Sequence, residues 1–303
     1  MLKIRFWGDR GSYPVPGETT LKYGGNTSCV EVSTGNAHVI FDAGTGIIYL
    51  GKRLIREAAG KPIVANIFFS HTHRDHTEGL PFFDPAYLAS TTLHVFGPTT
   101  LSHDLHETLT YAMLPPFFPV SLEEMKSTKL IKDLSPDEIV TIDTETNIPR
   151  TISPGSDLPD NIDDYLTIRS YHGQTHPGAG IYIYSAEHKG RKVIYATDTE
   201  GCTGGDPRLI EFARDADILI HDTQYLEEEY ANPQSPKKGW GHSTINMAVE
   251  VARKANVKKL VLFHHDPEGS DQKIAQKERI AQAMFPECIA AFEGLELVIH
   301  DKL

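Results

Sequence analysis

Read from its amino terminus, the chain alternates short apolar runs with turn-forming stretches. Leu2–Trp7 alternates apolar and polar positions, the period of a half-buried strand, and breaks into a turn-rich stretch from Gly8 to Gly17. Ser28–Ser33 and His38–Phe41 read as further strands, the second opening into Asp42-Ala43-Gly44-Thr45-Gly46. Apolar residues at helical spacing predict a helix over Ile47–Ala59, with Gly60 as its stop. Ile63–Phe69 is a continuous apolar run, as in a strand buried on both faces, and it ends at Ser70-His71-Thr72-His73-Arg74-Asp75-His76. Leu93–Phe96 predicts a strand and Thr99–Met113 a helix. The prolines of Leu114–Val120 then impose a loop with an apolar surface.

The stretch from about 121 to 165 is polar and weakly patterned. Beyond it, Leu166–Tyr171, Ile181–Tyr184, Val193–Ala196, Ile218–Ile220, Leu260–Phe263 and Leu295–Ile299 predict strands, and Thr244–Ala255 and Gln272–Phe285 predict helices. Strands interspersed with helices make an α/β chain. Histidines and aspartates recur just past strand ends, where α/β sheets hold their ligands.

Composition sharpens this picture. A chain of 303 residues buries a large core without disulfides, and three widely spaced cysteines supply neither a disulfide framework nor a Cys-x-x-Cys pair. The net charge of −12 differs from the basic balance of a generic nucleic-acid coat. No apolar run approaches a membrane span and the amino terminus lacks a signal-peptide core, so the expected compartment is the cytoplasm. The 15 histidines direct attention to metal chemistry.

The sharpest signal is His71-Thr72-His73-Arg74-Asp75-His76. Imidazoles and a carboxylate together suit zinc and similar divalent ions, and crowding them into one tight loop without a cation leaves costly unpartnered polar groups. This motif, together with Gly24-Gly25-Asn26-Thr27-Ser28, the Asp42–Gly46 turn, His176-Pro177-Gly178-Ala179-Gly180, Thr197-Asp198-Thr199 and Leu262-Phe263-His264-His265, resembles the metallo-β-lactamase superfamily. The resemblance implies an αββα sandwich formed by a single domain over residues 1–303, with an insertion at about 100–165. It also implies two divalent ions, zinc or manganese: one held by His71, His73 and His176, the other by Asp75, His76 and His264, with Asp198 bridging them. Asp75 counts as a catalytic candidate as well. The Pro-Gly turn favours His176 over His172. Residues 264 and 265 alternate at a strand end, so only one of the two faces the site, and His264 takes that role. Asp42 reads equally as a turn cap and as a support for a ligand histidine.

His73 stands where flavo-diiron members of the superfamily carry Glu, which sets that branch aside. Gly241-His242-Ser243-Thr244 and Leu219-Ile220-His221-Asp222-Thr223 look like the general-acid histidine and acidic partner of the phosphodiesterase branch, which includes ribonuclease Z. Ribonuclease Z usually carries a long tRNA-binding arm between the positions matching His176 and Asp198, and here the two are close in sequence. The expected substrate is accordingly a small phosphodiester, foremost a 3′,5′-cyclic nucleotide, with no membrane partner, no stable nucleic-acid binding and a possible homodimer. The alternatives are tRNA 3′-processing, a non-phosphate hydrolase such as a thioesterase or lactonase, and a metal-bearing sensor without catalysis.

Overall fold

The alternation over Leu2–Gly8 forms a strand, β1, whose residues Leu2, Ile4 and Phe6 are completely buried in the computed structural model, which describes residues 1–99, 103–178 and 180–301. The chain continues through β2 (Cys29–Thr34), β3 (Ala37–Phe41), α1 (Ile47–Ala58), β4 (Ile63–Phe68), the one-turn α2 (Arg74–Thr77), β5 (Thr91–Gly97), α3 (Leu105–Ala112) and β6 (Thr128–Asp133). Then follow β7 (Ile139–Asp143), β8 (Pro149–Ile152), β9 (Tyr165–Gly173), β10 (Ile181–His188), β11 (Arg191–Ala196), α4 (Pro207–Phe212), β12 (Ile218–Asp222) and α5 (Glu227–Tyr230). The chain closes with α6 (Ile245–Lys254), β13 (Lys259–Phe263), α7 (Asp271–Met284), β14 (Cys288–Ala290) and β15 (Glu296–Ile299).

The strands form two sheets, in the orders β15-β1-β2-β3-β4-β5-β6 and β14-β13-β12-β11-β10-β9-β7-β8. Each sheet joins an antiparallel part to a parallel one: β3 through β6 run parallel in the first, β11 through β14 in the second. Between the sheets lies an aromatic core of Phe6, Phe41, Phe68, Tyr184, Tyr195 and Phe263, with Phe41 stacked on Tyr195 at 5.1 Å. Helices α1 and α3 cover the outer face of the first sheet through Ile47, Leu50, Leu105 and Leu109. Helices α4, α6 and α7 cover the second through Leu209, Val249 and Ile274. Helix, sheet, sheet, helix is the αββα sandwich, each element burying its apolar face against the next layer.

Two regions depart from the sequence expectation. The weakly patterned stretch holds strands β6, β7 and β8. Strands β6 and β8 lie at sheet edges, where little of a strand is buried and the alternation fades. The helix expected from Thr99 starts at Leu105, because Asp104 caps it: its side chain accepts from the Glu107 N–H at 2.7 Å, and Glu107 reaches back to the Asp104 N–H. Residues 100–102 of that expected helix lie outside the described residues. No helix among the described residues is long and apolar enough to cross a membrane.

Candidate metal centre

Strands β4, β9, β11 and β13 deliver the seven ligand candidates from their carboxyl ends. Past β4 the chain passes His71 and His73, and the single turn of α2 then swings Asp75 and His76 toward the same point. His176 follows β9, Asp198 follows β11, and His264 follows β13. The donor atoms of His71, His73 and His176 lie within 4.8 Å of one another, as do those of Asp75, His76, Asp198 and His264. Asp198 stands between the groups: its Oδ1 is 3.8 Å from His71 Nε2 and from His176 Nε2, and its Oδ2 is 3.1 Å from His76 Nε2 and from His264 Nε2. His73 is solvent-exposed and the other six are buried. His172 is outside both groups, and Ala179 of the turn after His176 is outside the described residues. His265 is buried on the other side of the strand end, with Nε2 against the Ala291 carbonyl at 3.1 Å.

Around these side chains the fold supplies fixed supports. Asp42 accepts from His76 Nδ1 at 2.7 Å, from the Tyr195 hydroxyl at 2.7 Å, and from the Ser70 hydroxyl and N–H, so it both orients a ring and ties the loop after β4. The Gly241 carbonyl accepts from His176 Nδ1 at 3.1 Å. Gly241 has φ +88°, and a Cβ there would lie 2.1 Å from that Nδ1. The Ser12 N–H donates to Asp75 Oδ2 at 2.7 Å. Asp42, Asp198 and His264 all have positive φ (61°, 49° and 56°), a strain of about 1–3 kcal/mol each that persists where the surroundings dictate geometry. Tyr195 and Ser12 carried no sequence signal, whereas Gly241 lay within a motif read only for its histidine.

The electrostatics fit a divalent cation. Burial pushes His71 and His176 below the ordinary histidine range, and partial desolvation moves the more exposed His73 the same way, leaving the neutral imidazoles that metals take. His76 and His264 are also buried, yet Asp75, Asp198, Asp42 and Asp222 outweigh that burial and hold both rings up, His264 to about 10. Protons there neutralise the carboxylates in the absence of a cation; a cation takes over that role and releases them. His71 Nε2 is buried without a hydrogen-bond partner, a donor atom that needs a ligand.

A second pair adjoins this cluster. His242 donates from Nδ1 to Asp222 Oδ2 at 2.7 Å, and its ring stacks on His264 at 4.9 Å. Asp222 is also anchored by the N–H groups of Gln224 and Ser243. Burial would raise the Asp222 carboxyl, but the His242 and His264 rings hold it far below the usual carboxylate range. With Nδ1 engaged, His242 has Nε2 left for a substrate. Beneath the same strand end, Lys277 of α7 is buried and donates to the carbonyls of Thr223 and Gln224. A lysine on a helix gave no sequence sign of that role.

A family model described as beta-lactamase superfamily domain matches residues 37–265. Ribonuclease Z of Picrophilus torridus is 25% identical, aligned over 99% of this chain and 97% of its own. Among solved structures, the metallo-β-lactamase fold protein YhfI of Bacillus subtilis superposes with a TM-score of 0.67 at 18% identity, over 98% of both chains. The short form of human tRNase Z superposes with a TM-score of 0.59 at 19% identity, over 98% of this chain and 99% of that one. The relatives named ribonuclease Z overturn the expected partner set of a small phosphodiester without nucleic-acid binding. That expectation rested on the short stretch between His176 and Asp198, which leaves no room for a long tRNA-binding arm, and secondarily on net charge, a whole-chain sum that says little about a site whose positive charge comes from bound metal. By the family match and the fold together, the chain belongs to the beta-lactamase superfamily, in its metallo-β-lactamase, metal-dependent form.

Proposed function

We propose that this chain is a metal-dependent phosphodiesterase acting on RNA, with tRNA 3′-processing as the leading activity, the reading favoured by its similarity to proteins named ribonuclease Z and tRNase Z. His71, His73 and His176 would hold one divalent ion and Asp75, His76 and His264 a second, with Asp198 shared; zinc or manganese suits this donor set. When bound, the ions supply a nucleophile at neutral pH and neutralise charge on the phosphoryl oxygens. The chain's own residues do the rest. Asp42 and the Gly241 carbonyl fix the ligand rings. Asp222 holds His242 through Nδ1, so that Nε2 can give a proton to the departing ribose oxygen. The same reading takes residues 1–303 as one domain, because the 121–165 stretch supplies strands to both sheets.

What carries this proposal is the His242–Asp222 pair beside the cluster: a poor alkoxide leaving group needs a proton donor. The test is the metal-loaded protein incubated with precursor tRNA, an unstructured oligoribonucleotide and a 3′,5′-cyclic nucleotide. Cleavage of precursor tRNA that is abolished by chelation and restored by metal is expected. Hydrolysis of the cyclic nucleotide with both RNAs left intact would overturn the RNA assignment.

A further inference from the structure

Beside the metal cluster, and sharing His242 as a wall, is a cleft of about 310 Å³ whose lining includes Ser12, Gln224, Tyr225, Lys237, Trp240 and His242. Its position is fixed at two points. The Ser12 N–H bonds Asp75 Oδ2, and the Tyr225 ring stands edge-on to His242 at 6.1 Å. A molecule in the cleft therefore lies next to whatever bond is broken at the cluster.

Trp240 is the unusual feature. The chain has two tryptophans; Trp7 is buried, whereas Trp240 is 54% exposed. An exposed large aromatic on a loop is informative when the loop is held rigid. Here Glu200 clamps both flanks, accepting from the Gly239 N–H at 2.8 Å and the Gly241 N–H at 2.9 Å, and also from the Tyr230 hydroxyl. The same segment carries His242 and the carbonyl that orients His176. Lys237 Nζ lies 4.1 Å from the Trp240 ring centre and 5.8 Å from that of Tyr225, and it has no carboxylate partner among the described residues. The other lysine of the cleft, Lys273, is neutralised by Glu229 and Asp266. Gln224 is 4% exposed, and its Oε1 is buried without a hydrogen-bond partner.

An exposed indole on a clamped loop, the buried Tyr225 ring in the same lining, a lysine over the indole without a carboxylate partner and an amide oxygen without a hydrogen bond suit one chemical class: a nucleobase attached to a phosphodiester. Unpaired RNA bases stack on aromatic side chains and are read at their edges by amides, while cations take the phosphates. We infer that Trp240, Tyr225, Lys237 and Gln224 form a subsite for the unpaired nucleobase next to the scissile phosphate. This inference rests on the RNA assignment above and adds the contact by which one nucleotide is positioned.

The test reads the protein's tryptophan fluorescence, which does not depend on turnover. Metal-loaded protein is titrated with adenosine and uridine 5′-monophosphates, and with ribose 5-phosphate as a control that carries the phosphate without the base. Saturable quenching by the nucleotides, weaker by at least several-fold with ribose 5-phosphate and absent in Trp240→Phe, is expected. Trp240→Ala should raise KM for an oligoribonucleotide about 10-fold with little change in kcat, and the effect should vanish on an RNA abasic at that position. Equal quenching by nucleotides and ribose 5-phosphate, or a Trp240→Ala effect that persists on the abasic RNA, overturns the subsite even if precursor tRNA is cleaved. Nucleotide-specific quenching in a protein that cleaves no RNA upholds the subsite and overturns the RNA assignment instead.

Discussion

The metal cluster and the cleft beside it are built in opposite ways. Cluster side chains issue from strand ends anchored in two packed sheets, and six of the seven are buried. The cleft is walled by loops, keeps Trp240 in solvent, and gains its order from a few clamps such as Glu200. Chemistry that demands sub-ångström placement sits on the rigid part, and recognition sits on the adjustable part. The two meet at residues 222–225 and 241–242, where one hydrogen bond can serve both.

The largest expected effect comes from the centre of the cluster. Asp198→Ala removes the carboxylate that faces both donor groups and lies near His71, His76, His176 and His264. Elemental analysis should find less than one ion per chain, against two for the parent, and activity should fall to background. Full metal content would break the assignment of Asp198 as the shared ligand.

A support behind the cluster should matter less. Asp42→Asn keeps the shape but replaces the charged acceptor of the His76, Ser70 and Tyr195 bonds with a neutral amide that has a single acceptor oxygen. Loss of such an outer partner typically costs about 10–100-fold in metal affinity or activity. Competition with a metallochromic chelator should show that weakening, while binding of nucleotides in the cleft should change far less. Equal weakening of the two would erase the distinction between the regions.

The smallest effect on activity is expected at Lys277, which sits under the junction. Burial lowers its pKa from 10.5 to about 8. Between those values the unfolded chain binds one more proton here than the folded one, so stability from this group rises with pH across that window. The full span amounts to roughly 3 kcal/mol. Denaturant melts from pH 7 to 10 should show this rising contribution in the parent and its loss in Lys277→Met. Identical slopes in the two proteins would mean that the lysine does not change its charge on folding in that range.

How legible each region was in the sequence follows from the same contrast. The cluster's residue types are chemically conspicuous and fall directly after apolar runs, so His71, His73, Asp75 and His76 stood out together. The continuous apolar runs that place them are strong signals because those strands are buried on both faces. Edge strands β6 and β8 bury little and left no pattern. Tyr195 read as an ordinary core residue, although its hydroxyl bonds Asp42 across the two sheets. Trp240, Tyr225 and Ser12 come from separate loops, and only the folded chain brings them to one cleft.

The proposed chemistry depends most on His242 as the proton donor to the leaving oxygen. His242→Ala is to be compared with the parent, both metal-loaded, on two substrates: an RNA phosphodiester with a ribose leaving group, and a nitrophenyl phosphodiester whose leaving group departs without protonation. With His242 as the proton donor, the expected result is unchanged metal content, a loss of about 10²–10⁴-fold on the RNA, and a much smaller loss on the nitrophenyl ester. Equal losses on the two substrates, or loss of metal, would contradict it.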